Sequence, residues 1–174
     1  MSGAVEYDDS NLQRLFAEME PRRRAQALRG GFRKTANDVR KKAVANLRSS
    51  LQSNKDLEKG IRTAVFKRKA GFRVTIGTKK AGKDGRGESG MHLNRQGLKK
   101  PVLIWAEAGT KERQTKSNGR RRFQRARASH RTGRMQAYGF MDKTRSQVRE
   151  TISADIHKQV TENVERIAKK YGCR

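Results

Sequence analysis

Apolar residues recur every three or four positions in three segments of the chain, which is the period of an α-helix with one buried face. The spacing predicts a short helix over Ser10–Glu20, a long helix that follows Pro21 and ends within Ser49–Lys55, and a final helix over about Asp142–Tyr171. Because the final stripe continues for about eight turns, it predicts both core packing and a contact with a neighbouring subunit. The stripe of the long helix consists of Leu28, Phe32, Ala36, Val39, Ala43, Leu47 and Leu51.

Other segments have the pattern of β-strands. Residues Leu57–Lys69 and Gly71–Thr78 predict a β-hairpin, because apolar and polar positions alternate in the second of them. The apolar run Val102–Ala106 follows a proline and predicts a further strand. Between these strands, Lys79–Lys100 is rich in Gly and Lys and has no apolar period, which predicts a mobile loop.

Together these elements predict an α+β fold, in which a long N-terminal helix and a long C-terminal helix pack on a small antiparallel sheet. With 174 residues, of which 33% are hydrophobic, the chain can bury one modest core. We therefore expect one domain over residues 21–174, preceded by an N-terminal arm or short helix over residues 1–20. Within that domain we expect the mobile loop at residues 79–100 and a basic arm at residues 111–137.

The formal net charge of +26 changes this picture, because much of it is concentrated in one segment. Between Lys111 and Arg134 the chain carries ten lysines and arginines and a single acid, Glu112. Such a segment cannot enter a core, since unpaired buried charges are costly. It is predicted to be a long basic loop, held in solvent or against a negative partner. The candidate contact residues are Arg120, Arg121, Arg122, Arg125, Arg127, Arg131 and Arg134.

Two kinds of partner fit this basic arm equally well. Arginine forks pair bidentately with phosphate, and Phe123 could stack on a base. The sequence has no helix-turn-helix, zinc-finger or RNA-binding-sheet signature, so nucleic acid would be contacted through its backbone, with a steep salt dependence. An acidic protein surface would satisfy the same charge. A solvated surface with no specific partner is the plainest alternative, and the clustering of the charge argues against it.

Residues that could support catalysis or metal binding are scattered. His92, His130 and His157 lie far apart and Cys173 has no Cys or His neighbour, so no metal or cofactor is predicted. A single cysteine excludes an intrachain disulfide and is typical of a reducing cytoplasm. Glu107 is the one acid in an apolar run and could act as a general base, but an ion pair with a nearby arginine is the more common role. The sequence does not indicate an enzyme.

A membrane partner is not expected either. Residues Met1–Ser10 are acidic and polar and do not have the pattern of a signal peptide. Nowhere does the chain contain the roughly 20 consecutive apolar residues that span a bilayer.

The order of the elements, together with the segment Ile104–Thr110, resembles a family of tailed-bacteriophage tail components. These are the small minor tail or tail-completion proteins of the head–tail joining gene cluster in lambda-like phages. In that family a strand ends in an aromatic residue, one or two small residues, Glu, an apolar residue, Gly and Thr; after a variable loop, an aromatic residue and Phe precede the last long helix. A Pro and a Thr-Gly pair of the family are replaced here at Ser53–Ile61. The matching residues are Trp105, Glu107, Ala108, Gly109 and Thr110, followed by Tyr138, Phe140 and Met141.

The resemblance implies a structural, non-enzymatic virion protein at the head–tail junction, assembled in the cytoplasm of a bacterial host. It implies a ring-forming subunit, with about six copies between the portal complex and the tail tube. The partners would be further copies of the chain and other phage neck and tail proteins, with packaged DNA as an additional candidate. Because each copy carries +26, such a ring needs DNA in its lumen or acidic neighbours, and we expect Arg120–Arg134 to face one of these.

Two other classes of function stay open. A free nucleic-acid-binding protein without sequence specificity, such as a ribosome-associated or nucleoid protein, would need the basic surface but not the Glu107–Thr110 motif. An enzyme acting on nucleic acid would need clustered acids or histidines, and the sequence offers only Glu107. Neighbouring genes for portal, capsid and tail-tube proteins would favour the phage interpretation.

Overall fold

Helices and short paired strands make up the residues described by a computed structural model of the chain, which are 10–52, 55–79, 89–93, 99–114 and 131–172. The helices are α1 (Ser10–Glu18), α2 (Pro21–Ser50), α3 (Lys55–Glu58), α4 (Val102–Ala108), α5 (Phe140–Val148) and α6 (Ile152–Tyr171). The strands are β1 (Ile61–Val65), β2 (Phe72–Ile76), β3 (His92–Leu93), β4 (Lys99–Lys100), β5 (Arg113–Gln114) and β6 (Arg131–Gly133).

The strands pair two by two into small sheets, β1 with β2, β3 with β4 and β5 with β6. The last two pairs are antiparallel. The first pair is joined by residues 66–71, a connection too short for a parallel crossover, so β1 and β2 form a hairpin. This combination of helices with small antiparallel sheets confirms the α+β class.

Contacts along the chain divide these elements into two compact units. The first unit contains the described residues of 1–42, 63–75 and 145–174, and the second those of 43–62 and 76–144. Helix α2 therefore begins in the first unit and ends in the second, and the β1–β2 hairpin also contributes to both. The single domain expected over residues 21–174 stays a prediction.

The core of the first unit confirms the helical periods read from the sequence. Helix α1 packs on α6, so the N-terminal helix is part of this core. The apolar side chains of α1, α2 and α6 meet in one cluster, which removes their surface from water. Its buried members are Leu15, Met19, Ala27, Val160, Val164, Ile167 and Ala168, bordered by Leu12, Phe16, Leu28, Phe32 and Ile156.

Two consecutive glycines let α2 approach α6 closely in this unit. Helix α2 runs through Gly30 and Gly31 without interruption. A Cβ atom at Gly31 would lie only 2.7 Å from the Cα of Val160, and one at Gly30 would overlap the amide of Asn163. The missing side chains therefore serve interhelical packing, which outweighs the cost of Gly in a helix.

Close packing in the second unit also depends on a glycine, Gly60. Leu57, Ile61, Leu103 and Phe140 are among its fully buried side chains. A Cβ atom at Gly60 would overlap the side chain of Leu103, so this turn lies directly against α4. Close backbone approach of this kind is open only to Gly.

A buried polar pair ties the end of α2 to the start of α5 within the second unit. The Nδ2 of Asn46 donates to the Oγ1 of Thr144 at 2.9 Å, and the same hydroxyl donates to the carbonyl oxygen of Phe140 at 2.7 Å. Both polar side chains are thereby satisfied inside the unit, as buried polar groups require.

The strand predicted for Val102–Ala106 is wrong, because these residues form helix α4. Leu103 and Ala106 are fully buried while Ile104 is 41% exposed, which is a helical spacing of three rather than strand alternation. An unbroken apolar run of five residues fits either structure. Pro101 does not separate them, since proline is tolerated both before a strand and at the start of a helix.

Three other segments differ from the sequence prediction. The final helix over Asp142–Tyr171 is two helices, α5 and α6, separated at residues 149–151. The hairpin begins only at Ile61, because Leu57 lies in the short helix α3. The described parts of the predicted loop Lys79–Lys100 are paired, through β3–β4 and a bridge between residues 79 and 89. Residues 80–88 and 94–98 of that loop lie outside the described residues.

Replacing Gly31 by alanine tests the close packing of α2 on α6. We expect G31A to lower the free energy of unfolding by about 1–3 kcal/mol, because the Val160 backbone must move to admit the methyl group. At an open helical site the same exchange would instead stabilise by about 1 kcal/mol. Urea unfolding followed by circular dichroism measures the difference. The control is N37A at an exposed position of α2, which we expect to be neutral or slightly stabilising; equal behaviour of the two variants would contradict the close approach.

Candidate functional site

Two segments of the second unit, residues 105–110 and 135–141, are hydrogen-bonded to each other and together form what we call the clamp. The backbone N–H of Thr110 donates to the carbonyl oxygen of Met135 at 2.9 Å. The N–H of Met135 donates to the Oγ1 of Thr110 at 2.8 Å, and the N–H of Tyr138 donates to the carbonyl oxygen of Ala106 at 2.8 Å. The clamp thus joins the two ends of the basic segment 111–134.

Gly109 makes the clamp possible. It ends α4 with φ 73° and ψ −177°, a conformation open essentially only to glycine, and its N–H donates to the carbonyl oxygen of Trp105. A Cβ atom here would lie 3.0 Å from the nitrogen of Ala137 and 3.1 Å from the carbonyl oxygen of Met135. The glycine therefore serves both the turn and the close passage of the second segment.

Glu107 holds the first turn of α5. Its Oε2 accepts the backbone N–H of Met141 at 3.0 Å, and the neighbouring Phe140 is fully buried. The first N–H groups of a helix have no partner inside the helix, and the helix dipole favours a negative charge at that end. The structural role predicted for Glu107 is therefore present, but the partner shown is a helix start and not an arginine.

Beyond the clamp, the two ends of the basic segment pair as a two-stranded ribbon within the second unit, which we call the stem. Strands β5 and β6 are antiparallel, with Arg113 opposite Gly133 and Gln114 opposite Arg131, and the register shifts between the two pairs. Arg134 lies at the base of the stem and is exposed. Arg120, Arg121, Arg122, Arg125 and Arg127 lie outside the described residues, as do all of residues 115–130.

Two open cavities flank Arg134 and the adjoining residues 135–137 of the clamp. One, of about 640 Å³, combines aromatic and basic side chains and is lined by Lys100, Val102, Trp105, Arg134, Met135, Gln136 and Tyr138. The other, of about 710 Å³, has more polar walls and includes Thr110, Lys111 and Arg134. Arg134 lines both, so an anionic group bound in either would meet this guanidinium.

Two large apolar side chains of this part of the second unit are exposed. Tyr138, which lines the first cavity, is 42% exposed, and Ile104 on α4 is 41% exposed. Tyrosine and tryptophan combine a broad apolar face with one polar atom and are enriched where proteins contact other proteins. Trp105 and Tyr138, together with Arg134, therefore offer the chemistry of a protein-contact surface with a basic rim.

All eight motif residues lie in the two segments of the clamp, including Ala108 and Met141. Trp105, Glu107, Gly109 and Thr110 lie on one side of the clamp and Tyr138 and Phe140 on the other. Of the arginines predicted to contact a partner, the side chain of Arg134 alone is described, and it lies at the clamp. Sequence reasoning missed Met135, because it contributes through its backbone and no residue type indicates such a role.

Metal-binding and membrane-spanning features are lacking among the described residues. No group of three or more His, Cys, Asp or Glu side chains in this part of the chain could hold a metal ion. None of its helices combines the length and the apolar character needed to cross a bilayer.

No family model matches the chain, and no curated protein or solved structure shows significant similarity to it.

Variants of Glu107 test its role at the start of α5. E107A removes the acceptor for the Met141 N–H, and we expect it to lower the free energy of unfolding by about 0.5–2 kcal/mol. E107Q keeps an acceptor but loses the charge that favours the helix dipole, so its loss should be smaller, about 0.3–1 kcal/mol. Urea unfolding gives the order wild type, E107Q, E107A. The exposed Glu150 supplies the control, E150A, and a loss there as large as in E107A would refute the capping role.

Proposed function

We propose that this protein is a structural component of a phage virion at the head–tail junction, acting in neck formation or tail completion as a tail-terminator-like ring. The chain assembles as a ring of about six copies between the portal complex and the tail tube. Its basic segment contacts DNA in the lumen or acidic neighbouring proteins. The proposal rests on the convergence of the motif residues: Trp105, Glu107, Gly109 and Thr110 meet Tyr138 and Phe140 at the clamp.

The clamp supports this function because its hydrogen bonds hold both ends of the most basic segment, and none of the bonds described there comes from a charged side chain of that segment. The bonds that close it come from backbone atoms and from the side chains of Thr110 and Glu107. Arg134, the one arginine of this segment whose side chain the structure describes, takes no part in these bonds. A segment presented in this way suits a joint at which one surface must meet a polyanion or an acidic protein.

The exposed apolar groups near the clamp support a further protein contact. Ile104 and Tyr138, together with the half-buried Trp105, would be covered by the adjacent copy in a ring, because assembling rings bury apolar and aromatic side chains at their subunit interfaces. Six chains of +26 repel one another, so subunit contact and charge compensation must occur together.

Peptide mass spectrometry of purified, nuclease-treated virions tests the proposal. We expect a handful of copies per particle when the abundance of the chain is scaled to that of the portal protein. Absence from particles, with recovery on cellular nucleic acid instead, would overturn the virion function.

Replacing Arg120, Arg121, Arg122 and Arg125 by serine tests the role of the basic segment. We expect heads and tails to accumulate separately, with a fall of at least about tenfold in infectious particles, because the ring loses its compensating contact. The matched control replaces Lys41, Lys42, Arg149 and Lys158, all exposed and outside the segment, by serine. Plaque assays and electron microscopy give the readout. Normal joining and DNA retention in the first variant would mean that the segment has no essential role.

A free nucleic-acid-binding protein is the second candidate, and the net charge of +26 is the observation that favours it. This function needs no ring and no copy in the particle. Association with cellular RNA or DNA that is lost at high salt, in the absence of any particle, would support it over the virion function.

A further inference from the structure

A groove in the first unit, far along the chain from the basic segment, is lined by arginines from two helices. Its walls include Arg22, Gln26, Arg29 and Arg33 from α2 and Asn163 and Arg166 from α6, around a cavity of about 400 Å³. The four α2 residues follow a spacing of four, three and four, which places them on one face of the helix. We call this site the arginine groove.

Two of the four arginines of the groove are held by hydrogen bonds to uncharged acceptors. Arg166 donates to the Oδ1 of Asn163 at 2.7 Å, and Arg29 donates to the carbonyl oxygen of Lys67 at 2.8 Å. Both acceptors are uncharged. Among the residues that the structure describes, Arg22, Arg29, Arg33 and Arg166 form no ion pair. The described lining of the groove contains no acid either.

The base of the arginine groove is formed by the buried side chain of Asn163. Asn163 is 1% exposed, and its Nδ2 donates to the carbonyl oxygen of Ala27 at 2.5 Å. Gly30 leaves the space that this amide occupies, since a side chain at residue 30 would overlap it. The fixed amide in turn directs the Arg166 guanidinium toward the cavity that both residues line. An orienting partner of this kind reduces the entropy that an arginine loses on binding.

We propose that the arginine groove binds the phosphodiester backbone of nucleic acid. Guanidinium forks match phosphate oxygens bidentately, and each of the four arginines has N–H donors that no described residue uses. Arg22 and Arg33 are eleven residues apart on α2, a rise of about 16 Å, which exceeds the reach of one phosphate group. A chain of regularly spaced phosphates can occupy that length. This site is separate from the basic segment and does not depend on the proposed virion function.

Removing the charges of the groove tests the proposal against a variant with equal net charge. R22Q/R29Q/R33Q keeps long helix-forming side chains while removing three positive charges from the groove. K41Q/K42Q/K158Q removes three from exposed positions elsewhere on α2 and α6. Binding of a short labelled duplex is measured by fluorescence anisotropy over a series of salt concentrations. Circular dichroism and urea unfolding check that both variants fold.

The groove variant should bind at least about tenfold more weakly than the control variant at moderate salt. The slope of log DNA affinity against log salt concentration should also be smaller in magnitude for the groove variant than for the wild type, by about two to three. Each lost phosphate contact contributes about 0.9 to that slope. The control should change the slope by less than about one. Equal weakening of the two variants would mean that only overall charge matters, and would overturn the proposal.

Protection of arginines from phenylglyoxal, read by peptide mass spectrometry, locates the contact in the intact protein. We expect duplex DNA to protect Arg29, Arg33 and Arg166, and to do so also when Arg120, Arg121, Arg122 and Arg125 are serine. That second result separates the groove from the basic segment. Protection by tripolyphosphate but not by DNA would assign the groove to a small phosphate ligand, and equal protection by polyglutamate would assign it to acidic protein. Either result would overturn the nucleic-acid assignment.

Discussion

An excess of positive charge constrains every other part of this molecule. With 43 lysines and arginines against 17 acids, each helix can spare one apolar stripe for the core and must leave its remaining faces in water. Most of the ion pairs among the described residues are exposed, such as Lys41 with Asp38, and contribute little to stability. Stability must therefore come from close apolar packing at points such as Gly31 and Gly60, and the uncompensated charge is left for partners.

Helices whose apolar residues recur every three or four positions over several turns could be predicted from the sequence, because one face of each is buried. Helices α1 and α2 and the hairpin β1–β2 are recognisable in this way, whereas the pattern over α4 predicts a strand. Five consecutive apolar residues carry no period, and only the packing of Leu103 and Ala106 against the second unit selects the helix. The break between α5 and α6 was hidden for a similar reason, since the apolar stripe continues on both sides of it.

The two candidate sites also differ in how much of each the sequence predicts. The motif residues of the clamp could be identified from the sequence, but not their contacts, because Thr110 lies far along the chain from Met135, which takes part only through its backbone N–H and carbonyl groups. The arginine groove was missed entirely. Arg22, Arg29 and Arg33 have the pattern of a solvated helix face, and nothing in the sequence indicates that Asn163 and Arg166 lie opposite them. A site shared by two helices is a property of their packing.

The clamp also affects the free-energy cost of changing the length of the chain between its two segments. Once two ends are held together, the entropy of closing a loop between them rises by only about 0.6 kcal/mol for each doubling of its length. The stretch beyond the stem can therefore be lengthened, shortened or rewritten in composition at small thermodynamic cost, while Gly109 and Glu107 keep the scaffold beneath it intact. A foreign sequence inserted between residues 114 and 131 would be joined at both ends to the same hydrogen-bonded clamp.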